Sequence, residues 1–272
     1  MLVVKIGGGA GIAYEALAGD IGRLVAEGKP VILVHGASDA TNELAGALGR
    51  PLRLVTSVSG YQTRYTDREM LDIFIMASRA LNTRLTAQLQ RVGGVAAVGV
   101  SGVDGAMASA RRKDVLKIVE QGRRRILRGD HSGKLTWINA NLLDGLIRLG
   151  FTPVVAPIAL SEQGEPLNVD ADRLAAAIAN EMAAETVVYL THAPGLLRDP
   201  EEPDSLIRRV AIEHLPRARS FAQGRMRIKL LAVEEALSGA VTAVTIGDAR
   251  RSHPLLDALS GRGTVFSRGG VA

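Results

Sequence analysis

The chain has 272 residues, 47% of them hydrophobic, enough to bury the core of one large α/β domain or of two lobes sharing a sheet. It contains no cysteine, which excludes a disulfide framework, a thiolate metal site and a cysteine nucleophile. The net charge is +5, but aromatic residues make up only 3%, a weak basis for stacking nucleic-acid bases.

The N-terminus, MLVVKIGGG, carries a lysine inside its apolar run and lacks the basic-then-apolar order of a secretory signal. No apolar run approaches the ~20 residues that cross a bilayer, so a cytoplasmic protein without membrane contact is expected. Short β-branched runs then alternate with helical patterns. A strand at Leu2–Ile6 precedes a helix predicted over Tyr14–Glu27, and a strand at Val31–His35 precedes one over Ala40–Leu48. Strands follow at Ala96–Ser101 and Thr152–Ala156, then a helix over Ala171–Ala184. A strand at Thr186–Leu190, a helix over Met226–Leu237 and a strand at Ala243–Ile246 close the series. This rhythm predicts a three-layer α/β/α sandwich with a mainly parallel central sheet, and the almost wholly apolar strands suit a sheet covered on both faces.

One region breaks the rhythm. Val115–Val119 and Arg124–Leu127 flank a Gln121-Gly122 turn and predict a β-hairpin outside the main sheet, with arginines at exposed positions. Arg111, Arg112, Lys113, Lys117, Arg123, Arg124, Arg125 and Arg128 fall in or beside it and make a local positive field. The stretch His192 to Leu206 is a loop by composition, and Ser267–Ala272 reads as a frayed tail. A division near Leu160 separates an N-terminal lobe, 1–160, from a C-terminal lobe, 161–272, although no Pro/Gly-rich linker marks it.

Five places could carry chemistry. Lys5-Ile6-Gly7-Gly8-Gly9 ends a strand and opens a turn where open α/β sheets bind ligands; glycines admit a phosphate to backbone N–H groups and the lysine supplies a point charge. Read blandly, it is a tight turn beside a snorkelling lysine. Neither a Walker-type loop nor a dinucleotide fingerprint is present. In Val34-His35-Gly36-Ala37-Ser38 the small residues could hold an anion at a helix start, or Ser38 or Asp39 could simply cap that helix, with His35 a satisfied strand-end histidine. Asn168-Val169-Asp170-Ala171-Asp172 puts an amide and two carboxylates at one helix entrance, where acids also suit the helix dipole. Lys229, one turn into the helix after Gln223-Gly224-Arg225-Met226, can reach a phosphate or belong to a solvated basic face. Arg64 can form a bidentate bond to a carboxylate, while Thr66 or Asp67 caps the next helix.

Taken in order, K-x-G-G, V-H-G, R-x-T, N-V-D-A-D and G-x-M-x-x-K resemble the amino acid kinase family, acetylglutamate kinase branch, over almost the whole chain. The spellings His35-Gly36-Ala37-Ser38, Thr41-Asn42, Ser101-Gly102, Asp104-Gly105, Arg111-Arg112-Lys113, Arg128-Gly129-Asp130 and Gln223-Gly224-Arg225-Met226 are most similar to the kinases that act on carrier-protein-linked aminoadipate. The resemblance implies ATP-dependent phosphorylation of the free side-chain carboxylate of carrier-linked aminoadipate, with carrier-linked glutamate as a further or rival substrate, to an acyl phosphate. An acetylglutamate kinase acting on the free small molecule is the alternative, and a non-catalytic amino-acid or nucleic-acid binding module is the alternative of another class. By the resemblance, Lys5 and Lys229 stabilise the transferring phosphoryl group and Asp172 holds both. Gly7 and Gly8 donate to phosphates; Gly36, Ala37, Arg64 and Asn168 bind the substrate; Thr191, Gly195 and Lys229 lie by ATP. Magnesium is expected on the phosphates without a dedicated protein ligand set. A homodimer is also implied, and the basic hairpin becomes a dock for a small acidic carrier protein. Two departures stand out: Ala37 replaces a glycine, and His192 stands where many relatives have an aspartate near the nucleotide.

Overall fold

The computed structural model describes residues 1–9, 11–58 and 60–269. β1 (Leu2–Ile6), α1 (Tyr14–Ala26), β2 (Val31–His35) and α2 (Ser38–Ala47) come first, followed by β3 (Leu54–Ser57), β4 (Gln62–Arg64), the long α3 (Arg68–Arg91) and β5 (Ala97–Ser101). The strands β6 (Ala108–Arg112), β7 (Val115–Glu120), β8 (Arg123–Arg128) and β9 (Gly133–Ile138) then leave the main sheet. α4 (Ala140–Arg148), β10 (Thr152–Ala156), β11 (Ile158–Leu160) and β12 (Pro166–Asn168) lead into α5 (Ala171–Glu181) and β13 (Thr186–Thr191). The last elements are β14 (Arg209–Ala211), α6 (Leu215–Ala218), α7 (Arg225–Ser238), β15 (Ala243–Asp248), α8 (Pro254–Leu259) and β16 (Thr264–Ser267).

Eight strands form the main sheet in the order β14-β16-β15-β13-β1-β2-β10-β5, parallel except where β16 meets β15. Alternation along the central strands explains why both faces are covered. Val3, Ile32, Val187 and Val244 pack with α5 and α7, whereas Val4, Leu33 and Val188 pack with α1, α3 and α8. The three-layer α/β/α architecture expected from the strand–helix rhythm is present. The predicted strands differ from the observed ones by no more than two residues at an end.

The hairpin forms where expected, with Gln121 and Gly122 both at positive φ, 51° and 74°, as a two-residue turn between right-twisted strands requires. It joins β3 and β4 in a four-stranded sheet of order β4-β3-β7-β8. A second small sheet, β12-β11-β6-β9, lies beside it, and the division at Leu160 falls in the connection between its paired strands β11 and β12. The helix after His35 starts at Ser38, not Ala40. Ala37 occupies the cap position and makes no side-chain cap bond, so neither Ser38 nor Asp39 is the cap. Asp67 does cap α3, accepting from the Met70 N–H at 2.9 Å. The expected frayed tail is corrected in its first part: Ser267 ends β16, which is paired on both sides by β14 and β15, and the Arg268 side chain is tied to α7 by Nε donating to the Leu237 carbonyl at 2.5 Å. Gly270, Val271 and Ala272 lie outside the described residues. No described helix is long and apolar enough to cross a membrane.

Candidate active site

The carboxyl ends of β1, β2 and β13 meet the starts of α2, α5 and α7, and the phosphate-handling candidates converge there. Asp172, in the first turn of α5, accepts from Lys5 at 2.8 Å and from Lys229 at 2.9 and 3.1 Å. Residues 167 positions apart in the chain, at the first strand and the first turn of α5, are thus joined through one carboxylate to a lysine of α7. All three side chains are buried. Burial works against ionisation of Asp172, but the charges of Lys229 and Lys5 outweigh it and hold the carboxyl well below the usual carboxylate range. Burial, set against the pull of Asp172, lowers Lys229. Two buried ammonium groups on one carboxylate leave positive charge in a poorly solvated place, where an anion is the natural third partner. Asp170, two residues earlier, is engaged as the cap of α5, accepting from the Arg173 N–H at 2.9 Å. Tyr189 fixes this helix start by donating to the Asp172 carbonyl at 3.0 Å.

The glycine loops approach each other above the lysines. A Cβ on Gly8 would lie 2.6 Å from the Gly36 carbonyl oxygen, so only glycine permits this contact. The Gly7 N–H donates to the Leu190 carbonyl at 3.0 Å and the Gly36 N–H to the Ile6 carbonyl at 2.9 Å. Both amides extend the sheet's ladder, so the Gly7 N–H expected to donate to a phosphate is engaged by Leu190 in this structure, and the close approach of the two loops is made at Gly8. Tyr14 closes the other side of this loop, its hydroxyl donating to the Gly7 carbonyl at 3.3 Å. Burial, reinforced by Asp39 and Glu43, pushes that hydroxyl up to about 12. His35 is a core histidine. Its Nδ1 faces the Gly36 carbonyl at 3.2 Å and its Nε2 faces the Asn82 amide nitrogen at 3.2 Å, which sets Nδ1 as the protonated nitrogen. Complete burial pushes its pKa down to about 4.

Arg64, in β4, reaches the start of α2. One Nη donates to the Ser38 carbonyl at 2.9 Å and also bonds Asn42 Oδ1, while the buried Nε has no protein acceptor. Burial, then the charge of Arg225, lowers its pKa. Asn168 stands nearby, its Nδ2 donating to Thr66 Oγ1 at 3.1 Å and its N–H to the His131 carbonyl at 2.9 Å. Asp130 organises this wall. Its wholly buried carboxylate accepts from the Thr66 N–H at 2.9 Å, the Ser132 N–H at 3.0 Å and the Ser132 hydroxyl. The Arg128-Gly129-Asp130 spelling does not announce this role, because nothing in spacing marks a buried carboxylate that ties Thr66 to Ser132.

Thr191 ends β13, its carbonyl accepting from the Ala249 N–H at 2.7 Å. Gly195 is buried, and a Cβ there would lie 2.5 Å from Thr264 Oγ1, so packing against β16 accounts for the glycine. A Cβ on Gly9 would collide with the His192 ring at 2.0 Å. The basic residues divide into distinct sets. Arg112 braces the wall of the site, with Nε to the Asp130 carbonyl at 2.8 Å and Nη2 to His131 Nε2 at 3.0 Å. Arg111 and Lys113 are exposed at and just beyond the end of β6, and the rest lie on the hairpin. No group of three or more His, Asp or Glu side chains among the described residues could hold a metal ion.

The sequence profile of the amino acid kinase family matches residues 1–248. LysW-aminoadipate kinase of Deinococcus radiodurans is 44% identical over 268 residues, covering 98% of this chain and 91% of the relative. The enzyme of the same name from Thermus thermophilus is also 44% identical over 268 residues, covering 97% of this chain and 99% of the relative. Among solved structures, N-acetylglutamate synthase from Neisseria gonorrhoeae, complexed with coenzyme A and N-acetyl-glutamate, superposes with a TM-score of 0.80 at 25% identity, over 99% of this chain and 59% of that one. With two lysines on one buried carboxylate at the ends of the central strands, and a family match spanning nearly the whole sequence, the chain belongs to the amino acid kinase family.

Proposed function

We propose that the protein transfers the γ-phosphoryl group of ATP to the side-chain carboxylate of aminoadipate whose amino group is linked to a small acidic carrier protein. The buried Lys5–Asp172–Lys229 array carries this reading, because it offers excess positive charge at the end of the sheet and no general base. None is required: the attacking carboxylate is ionised at neutral pH. A carboxylate oxygen forms a bond to the γ-phosphorus, the bond from that phosphorus to the bridging oxygen breaks, and ADP leaves with the electron pair. Lys5 and Lys229 offset the charge on the equatorial oxygens, and Asp172 keeps both ammonium groups in place. Gly8 lets the phosphates approach the backbone. Arg64 and Asn168 hold the substrate beside Gly36 and Ala37, and Thr191 and Gly195 shape the nucleotide side. Magnesium, bound with ATP, would supply further charge neutralisation, with water and phosphate oxygens rather than a set of protein carboxylates as its main ligands. In this reading the N-terminal lobe takes the carboxylate substrate and the C-terminal lobe takes ATP, in a cytoplasmic homodimer.

The hairpin supports docking of the carrier. Cross-strand pairing puts Val115 with Arg128, Lys117 with Ile126 and Val119 with Arg124 on one face, and all six are exposed. Ile126 alone is 61% exposed. Cations interleaved with apolar side chains suit an acidic protein surface. Arg123 and Arg125 project from the opposite face, where Arg125 pairs with Glu120 at 3.3 Å. Docking therefore rests chiefly on Lys117, Arg124 and Arg128, with Arg111 and Lys113 as flanking charges.

Acyl-hydroxamate formation in hydroxylamine tests the function. The purified protein, ATP and magnesium are given carrier-linked aminoadipate, carrier-linked glutamate, free N-acetylaminoadipate or free N-acetylglutamate. Product from carrier-linked aminoadipate is expected. Product mainly from free N-acetylglutamate would overturn the carrier reading, and no product from any substrate would overturn the kinase reading.

A further inference from the structure

Lys229 and Arg225 are four residues apart in α7 and so share a face of that helix. Lys229 is buried against Asp172, and Arg225 lies one turn nearer the helix start, exposed, with no hydrogen-bond or ion-pair partner among the described residues. That helix start reaches the β3–β4 turn of the opposite half. A Cβ on Gly60 would come within 3.4 Å of an Arg227 guanidinium nitrogen. The guanidinium of Arg225 is close enough to Arg64 for its charge to act there, and Asp39 acts on Arg64 in the opposite sense. Arg64 itself is anchored through one Nη, and its buried Nε lacks an acceptor. Two cations from opposite halves thus converge where the protein supplies too few oxygens.

We propose that Arg225 is a substrate-binding residue which, with Arg64, forms a two-arginine clamp on a carboxylate of the acceptor substrate, assembled from α7 and β4. This rests on the kinase reading above. Guanidinium groups bind carboxylates with paired, charge-assisted hydrogen bonds, and two of them on one carboxylate set both its position and its plane. The clamp also explains why the helix that carries the phosphate lysine carries an unpaired arginine one turn earlier: the same rigid element touches both reactants. The same two guanidinium groups could alternatively meet a nucleotide phosphate, and the Michaelis constants separate these sources.

The experiment is steady-state hydroxamate kinetics of Arg225→Ala, Arg225→Lys, Arg64→Ala and the Arg225→Ala/Arg64→Ala double variant, with both ATP and the carboxylate substrate varied. Loss of one charge-assisted bond predicts a rise of about 10- to 100-fold in KM for the carboxylate substrate in Arg225→Ala, with KM for ATP unchanged. Arg225→Lys should recover part of the loss, and the double variant should cost less than the product of the two single effects. Arg227→Ala, whose Nε is held by the Ala222 carbonyl at 3.0 Å, should move KM little and controls for a general loss of positive charge. An unchanged KM for the carboxylate, a rise confined to KM for ATP, an equal effect of Arg227→Ala, or strictly multiplicative single effects would each overturn the clamp. A wild-type protein that phosphorylates no carboxylate would instead overturn the kinase reading, before any variant is compared.

Discussion

The buried lysine pair and the arginine-rich hairpin place similar charges in opposite surroundings. Lys5 and Lys229 are held on Asp172 at 2.8 and 2.9 Å and are almost wholly shielded from water. Lys117, Arg124 and Arg128 stand in solvent on the hairpin at one side of a four-stranded sheet, beside apolar side chains. In the first region low dielectric makes each charge strong and position decisive; in the second, water and salt screen each charge, and only their sum acts at a distance. In the proposed reading the difference separates two functions: charge in a fixed place would serve the chemical step, and charge spread over a face would serve encounter with a partner.

The comparison breaks most severely if Asp172 is dispensable. Asp172→Ala leaves two buried ammonium groups without their anion, and a loss of about 3–5 kcal/mol in denaturant stability together with abolished turnover is expected. Retained stability in a urea titration would mean that water reaches the lysines. Lys5→Ala and Lys229→Ala are gentler on the fold, because Asp172 keeps one partner in each. Each should lower kcat on the order of 10³-fold in the hydroxamate assay while the thermal transition persists.

His35 sharpens the same contrast through pH. Burial pushes its pKa down to about 4 from an ordinary value of 6.5, so the unfolded chain binds a proton that the folded one refuses. The neutral-histidine contribution is complete above pH 6.5 and is lost as pH falls toward 4, to a limit of about 3 kcal/mol. Denaturation midpoints across this window should show a slope that His35→Gln flattens, and an unchanged slope would assign the acid sensitivity elsewhere. The smallest effect belongs to the hairpin. Charge reversal at Arg124 and Arg128 should raise KM for a carrier-linked substrate about 10-fold with kcat preserved, the difference shrinking in added salt. Reversal of Arg123 and Arg125 should do less, and equal effects from both pairs would remove the one-face docking arrangement.

The central strands and the lysine sites were legible because apolar β-branched runs and glycine turns are local signals. Lys5, Asp172 and Lys229 were each recognisable from short spellings, and the fold brings them together. The sheet of β6, β9, β11 and β12 was not legible, since its strands are short and mixed in polarity and join distant positions such as Ser109 and Leu160. The engagement of the Gly7 amide with Leu190 was not legible for a related reason: it follows from the register of β1 on β13, which the chain does not spell out locally. The close packing of Gly195 on Thr264 was not legible either, a contact visible only once β16 returns antiparallel beside β15.

The position of β1 between β2 and β13 bears on how the molecule is made. Leu2 pairs with Val31 on one side and with Thr186 on the other, so during synthesis β1 has one neighbour soon after it emerges and must wait about 180 further residues to gain the second. Until then it presents an apolar, unpaired edge, the kind of surface that invites intermolecular pairing. Assembly during synthesis is therefore set by the arrival of β13, and a translational pause before it would prolong the interval in which a chaperone has something to hold.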